Sequence, residues 1–147
     1  MKDPATAVRE GYKVKLDGNV THNGTPIKWY GRRVPANASL PYGYFPRQNG
    51  TNDGTKTSFV TNHEIDVEIV YGSTTGTEQN ELDALSNQVL EIIARMRVED
   101  CPQFAGFVNV GTKFERSTEL TDYDNTYTYL RKILTFSNII YEGGFGS

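Results

Sequence analysis

The fold is decided by one stretch, residues 59–97, which reads FVTNHEIDVEIVYGSTTGTEQNELDALSNQVLEIIARMR. Two sets of residues alternate in its first part: His63, Ile65, Val67, Ile69 and Tyr71 in one set, and Glu64, Asp66 and Glu68 in the other. This period of two predicts a strand with one buried face and one solvated face. The Gly- and Thr-rich run of residues 72–77 then predicts a loop that ends where a helix begins.

A long amphipathic helix is predicted after this loop. Its apolar residues recur at steps of three and four: Leu82, Leu85, Val89, Ile92, Ile93 and Met96. Such a stripe can pack against the apolar face of the preceding strand. We therefore expect a sheet that is covered on one face by this helix.

The remaining segments predict a short helix and further strands. Asp3 and Pro4 are typical of a helix start, and Gly18 of a helix end, so residues 4–17 are expected to be helical. Strand patterns occur at residues 27–33, 41–46, 104–114 and 126–140. A flexible loop is expected at residues 48–56, a charged loop at residues 115–125 and a flexible tail at residues 142–147. The predicted fold class is α+β, with a largely antiparallel sheet of about four to five strands, one long helix on one face and a short N-terminal helix.

Length and composition favour one globular domain over residues 1–147. A chain of 147 residues is long enough to bury a substantial core without disulfides, and its single cysteine, Cys101, cannot form an intramolecular one. The formal charge of −3, without long blocks of either sign, disfavours a nucleic-acid-binding surface. We expect no signal peptide, no membrane-spanning segment and no membrane partner.

The acidic trio Glu64, Asp66 and Glu68 is the strongest candidate for chemistry, since three carboxylates on one face can hold a hard cation. The alternative, which alternation alone predicts, is the solvated face of an amphipathic strand. A metal-dependent nuclease of the restriction-enzyme type requires Glu-x-Lys in this strand, and the sequence does not contain it there. A metal-dependent hydrolase is therefore the less favoured hypothesis, and we expect no catalytic residues, no metal and no cofactor.

Two other clusters suggest contacts with other molecules. The aromatic residues Tyr42, Tyr44 and Phe45 suit a surface that is apolar on one side and solvated on the other. Together with the neighbouring loop, they are the basis of a weaker hypothesis, a sugar- or peptide-binding module. The basic pair Arg131 and Lys132 is typical of an interface or a solvated face.

The order of these features resembles the tail terminator or tail completion proteins of tailed bacteriophages. The resemblance covers residues 4–141 and rests on the order and spacing of several segments. These are a short helix, the Val34-Pro35 turn, Leu40-Pro41-Tyr42, the strand of residues 63–69, the helix of residues 87–96, Arg116 and the strand of residues 129–136.

The resemblance implies a structural virion protein that assembles into a ring, commonly a hexamer, in the host cytoplasm. Its implied partners are other copies of itself, the tail tube protein and the head connector, with DNA passing through the lumen. The head-side neck ring proteins remain the alternative. On this reading, the candidate interface or lumen residues are Glu64, Asp66, Glu68, Tyr42, Tyr44, Phe45, Arg131 and Lys132.

Overall fold

The computed structural model describes residues 2–52, 60–75, 78–123 and 128–142. Its centre is strand β6, Val60–Ser73, the strand predicted from the alternating residues. It pairs antiparallel along its whole length with β8, Thr128–Glu142. Of the five side chains of β6 that were expected on one buried face, His63, Ile65, Val67 and Ile69 are buried, and Tyr71 is partly buried against the core.

The other strands extend this pair on both sides. Strand β7, Phe107–Tyr123, pairs with the edge of β8 that faces away from β6. Strands β4, Tyr42–Tyr44, and β5, Gln48–Asn52, both pair with the edge of β6 that faces away from β8. Strand β3, Lys28–Trp29, runs parallel to β4. Every other strand pair in the described sheet is antiparallel.

A separate short hairpin and the helices complete the fold. Strands β1, Thr21–His22, and β2, Thr25–Pro26, form the hairpin. Helix α1 spans Ala5–Leu16 and helix α2 spans Gln79–Ile93, followed by a short 3₁₀ turn at Val98–Asp100. The predicted α+β class with a largely antiparallel sheet is therefore confirmed, and in the described residues the sheet has six strands where about four to five were expected.

Both helices pack on the same face of the sheet. Helix α1 contributes Val8, Tyr12 and Leu16 to the core, and α2 contributes four apolar residues of the predicted stripe, namely Leu82, Leu85, Val89 and Ile93. No helix among the described residues is long and apolar enough to cross a membrane.

A buried polar network joins α1 to the sheet. The hydroxyl of Tyr12 donates a hydrogen bond of 2.8 Å to Oδ1 of Asn138, which also accepts one of 2.8 Å from the hydroxyl of Thr112. The amide of Asn138 in turn donates to the carbonyl oxygen of His63 at 3.1 Å. Because buried polar groups are costly when unpaired, these bonds favour a single position of α1 on the sheet.

Four expectations about the bounds of single elements were wrong. Residues 48–52 form β5 rather than part of a loop, and residues 115–123 continue β7 rather than forming a charged loop. Both segments are polar, and both are held by backbone hydrogen bonds to a neighbouring strand, which do not require apolar side chains. The strand expected at residues 27–33 shrinks to Lys28–Trp29, and Met96 is fully exposed because α2 ends at Ile93. The rest of the loop expected at residues 48–56, from residue 53 on, and the tail of residues 143–147 lie outside the described residues.

Candidate functional site

The candidate site is the face of the sheet that carries no helix. The register of β6 and β8 places Glu64, Asp66 and Glu68 on this face, opposite Ser137, Thr135 and Ile133 respectively. The three acidic residues share one side of the strand as predicted, but this side is not the solvated face that was expected, because Glu68 as a whole residue is 4% exposed and Val70, on the same side, is fully buried. What the sequence does not reveal is that each carboxylate has a partner on a neighbouring segment.

Glu68 forms the best-buried of these pairs. Its side chain is only 6% exposed, and its Oε2 accepts hydrogen bonds from the guanidinium of Arg131 at 2.7 Å and from the hydroxyl of Tyr44 at 3.0 Å. Arg131 also donates to Oδ2 of Asp122 on β7 at 2.7 Å. Burial acts to lower the pKa of Arg131, but the hydrogen bond and the charge of Glu68 outweigh it, so this pKa is raised.

The other two carboxylates are paired less tightly. Asp66 accepts a hydrogen bond of 2.7 Å from the hydroxyl of Thr135 and lies 3.8 Å from the guanidinium of Arg47. Glu64 lies 3.5 Å from the guanidinium of Arg116, and both of these side chains are partly exposed. The face is thus a ladder of ion pairs rather than a bare acidic wall, and the described residues contain no group of three metal-ligating side chains.

Two tyrosines of β4, together with Tyr30, border this ladder of ion pairs. Tyr42 and Tyr44 have ring centroids 6.1 Å apart, and Tyr30 meets the Tyr42 ring edge-on at 5.9 Å. Burial, followed by the adjacent carboxylate of Glu68, raises the pKa of Tyr44 to about 12, so its hydroxyl stays protonated and donates to that carboxylate at neutral pH. Phe45, the third member of the predicted aromatic cluster, lies in the core on the helix side and is 1% exposed.

Lys132 lies on the opposite face from its chain neighbour Arg131. Its ammonium group is 3.0 Å from a carboxylate oxygen of Asp83 on α2 and 3.4 Å from one of Glu119 on β7. Hydrogen bonds from Gln79 and then from Lys132 lower the pKa of Asp83. Lys132 therefore ties the sheet to α2, and the two residues of the basic pair serve different faces.

An apolar corner occupies one end of the helix-free face. It consists of Val108, Val110, Ile139 and Tyr141, which are between 39% and 51% exposed. Val108 is directly opposite Tyr141, and Val110 lies in a bulge next to the pair of Gly111 with Ile139. Sequence reasoning missed this group because its members come together only through the register of β7 with β8. Apolar side chains clustered on a surface are typical of protein contacts.

Matches to known proteins are found among solved structures. No protein-family model and no curated protein matches the chain. Among solved structures, a chain from the virion of a native gene transfer agent particle matches with a TM-score of 0.75 and 14% sequence identity. The match covers 96% of this chain and 99% of that chain. At this level of identity, the similarity shows a shared fold.

Proposed function

We propose that this protein is a structural virion subunit of a phage-like particle, which forms a ring at the head-proximal end of the tail. The observation that carries the proposal is the fold similarity to a chain of a gene transfer agent virion over nearly the full length of both chains. Both this similarity and the resemblance of the sequence to phage tail terminator proteins point to a structural protein of a phage-like virion. In this role the ring, commonly a hexamer, stops growth of the tail tube and joins it to the head connector.

The surfaces of the subunit are suited to such a ring. A ring subunit binds its two neighbours through two different surfaces, and the two outer sides of this sheet are different in sequence and charge. The apolar corner offers a further contact for another subunit or for a tail or head protein. The role requires no catalytic group, and the carboxylates that were candidates for chemistry are engaged in ion pairs.

The helix-free face is the surface that we assign to the lumen or to a neighbouring subunit. Affinity for DNA arises when basic side chains neutralise phosphates. On this face the arginines Arg47, Arg116 and Arg131 are each within ion-pair distance of a carboxylate. A surface whose cations are already paired lets a duplex pass without holding it.

A ring protein on the head side of the neck is the alternative, and deletion of the coding sequence in a producing host distinguishes the two positions. Loss of a tail-side ring leaves the tube without a stop, so electron microscopy is expected to show free tubes of irregular length and separate heads. Loss of a head-side ring would instead leave free tails of uniform length. A normal yield of joined particles without this protein would contradict both roles.

A further inference from the structure

One side of the sheet is basic and contains no acidic residue. Residues 18–52 carry Lys28, Arg32, Arg33 and Arg47 but neither Asp nor Glu. This segment supplies β3, β4 and β5, the strands on the β6 side of the sheet. We call this side of the subunit the basic edge.

A cleft in the basic edge is lined by three guanidinium groups. It has a volume of about 210 Å³ and brings Arg9 of α1 together with Arg32 and Arg47. Within the described residues, Arg9 and Arg32 form no ion pair, whereas Arg47 is within ion-pair distance of Asp66, at 3.8 Å. Among these residues, the cleft therefore contains two unpaired guanidinium groups and one that is paired. Guanidinium groups bind carboxylates and phosphates through charge-assisted hydrogen bonds, so the cleft is suited to an anionic partner.

The opposite side of the sheet carries acidic groups. Strand β7 forms this side, and in the described residues it pairs only with β8, so its outer edge exposes backbone donors and acceptors. Glu115, Glu119 and Asp122 are exposed along its second half, and the side chains of Glu119 and Asp122 are 57% and 58% exposed. Within the subunit Glu119 pairs with Lys132 at 3.4 Å and Asp122 with Arg131 at 2.7 Å, so both carboxylates are paired but keep more than half of their side-chain surface open to a second partner. The basic residue of this half, Arg116, is engaged by Glu64.

We propose that the basic edge of one copy binds the acidic half of β7, residues 115–123, on the next copy. This inference rests on the proposed ring and names the contact that closes it. Because the two surfaces lie at opposite sides of one sheet, repeating the same contact joins copies head to tail, which generates a closed ring when the rotation between neighbours closes. Opposite charge fixes which surfaces meet and accelerates their association.

A phosphate of passing DNA is the competing occupant of the arginine cleft. The carboxylates of β7 are favoured because every copy carries three of them, exposed on a strand that in the described residues pairs on one side only. The overall charge of −3 also repels a nucleic acid that approaches the subunit as a whole.

The test uses two charge-reversed variants of the full chain. Arg32→Glu with Arg33→Glu removes the net positive charge of residues 18–52 and places two carboxylates on the basic edge, and Glu115→Lys with Glu119→Lys makes the acidic half of β7 basic. The second variant removes the pair of Lys132 with Glu119 and the hydrogen bond from Ser137 to Glu115, while Lys132 keeps Asp83 at 3.0 Å, so its folding is measured before its assembly is interpreted. Circular dichroism and thermal unfolding establish folding, and Arg97→Glu is the control, since Arg97 is 76% exposed and pairs only with an exposed Glu99 in the described residues.

The mass of the assemblies, measured by light scattering and native mass spectrometry, decides the outcome. Like charges facing each other should weaken each interface at least about tenfold, so each folded variant alone is expected to lose the ring, whereas Arg97→Glu keeps it. An equimolar mixture should restore rings with an even number of subunits, because alternating copies again present opposite charges at every contact.

Two results separate failure of this inference from failure of the proposed function. If the wild-type chain forms rings and either folded variant forms them equally well alone, or if the mixture restores none, the proposed contact is overturned while the ring function stands. If Arg32→Glu with Arg33→Glu abolishes binding to a fluorescent DNA duplex but leaves the ring mass unchanged, the cleft is a phosphate site and the proposal is again overturned. A wild-type chain that forms no ring, alone or on isolated tails, refutes the proposed function itself.

Discussion

Replacing Glu68 by alanine tests whether the acidic strand face is structural. The substitution removes two hydrogen bonds to a carboxylate that is 6% exposed, from Arg131 at 2.7 Å and from Tyr44 at 3.0 Å. Hydrogen bonds to charged groups contribute about 1.5 to 3 kcal/mol each, and removing one partner of a buried ion pair costs about 3 to 5 kcal/mol. Arg131 is 25% exposed and retains Asp122, which reduces the penalty for its unpaired charge. We expect Glu68→Ala to lower the free energy of unfolding by about 2 to 3 kcal/mol.

Chemical and thermal denaturation measure this effect, with Glu64→Ala as the matched control. Glu64 lies on the same face, but its side chain is 29% exposed and that of its partner Arg116 is 51% exposed. An exposed pair of this kind contributes less than about 1 kcal/mol. In a chain of this size, the midpoint should fall by about 5 to 10 °C for Glu68→Ala and by about 2 °C or less for Glu64→Ala. Equal losses in the two variants, or none in Glu68→Ala, would refute the reasoning that burial of the pair decides its contribution.

Three further substitutions test other parts of the structure. Tyr12→Phe removes the hydroxyl that donates to Asn138 and is expected to cost about 1 to 2 kcal/mol in urea denaturation, because a buried acceptor loses one of its donors. Burial lowers the pKa of His63 from its usual 6.5, so the unfolded chain binds a proton more readily than the folded chain. The stabilisation that neutral His63 provides is complete above pH 6.5 and is lost as the pH falls below it. His63→Gln should therefore reduce the pH dependence of the free energy of unfolding, measured in denaturation curves over a pH series. Gly43→Ala places a methyl group against the ring of Trp29 and should lower the free energy of unfolding by about 1 to 3 kcal/mol.

Controls for these variants come from the same chain. Gly111→Ala should be nearly neutral, since a methyl group there meets nothing within 4 Å, and a loss equal to that of Gly43→Ala would contradict the packing argument. An unchanged pH dependence of stability in His63→Gln would assign the acid sensitivity to other groups. A Tyr12→Phe variant as stable as the wild type would show that the buried network contributes nothing net.

The sequence predicts the central strand, the long helix and the fold class because these depend on local periodicity. Strand β6 has alternating apolar residues over most of its length, and α2 has a stripe at helical spacing, so each signal lies within one segment. Strand β5 and the second half of β7 lack such a signal. They are polar edge segments that are ordered by pairing with β6 and β8, which is a property of tertiary structure.

The pairing of the acidic residues also depends on tertiary structure. Glu64, Asp66 and Glu68 are evident as one face of a strand. The partners of Glu64 and Glu68, Arg116 and Arg131, lie 52 and 63 residues away in the sequence. Alternation within a strand could in principle separate Tyr44 from its neighbour Phe45, as the structure does. It could not identify which of the two faces was buried, because both sides of that short strand carry aromatic residues.

The most direct test of the central claim is the mass of the purified wild-type assembly by native mass spectrometry over a concentration series, with electron microscopy of the same samples. The account predicts closed rings, and for the expected hexamer a mass of about 99 kDa, six times the 16.5 kDa chain. Monomers that persist at high concentration and that also fail to assemble on isolated tails would contradict it.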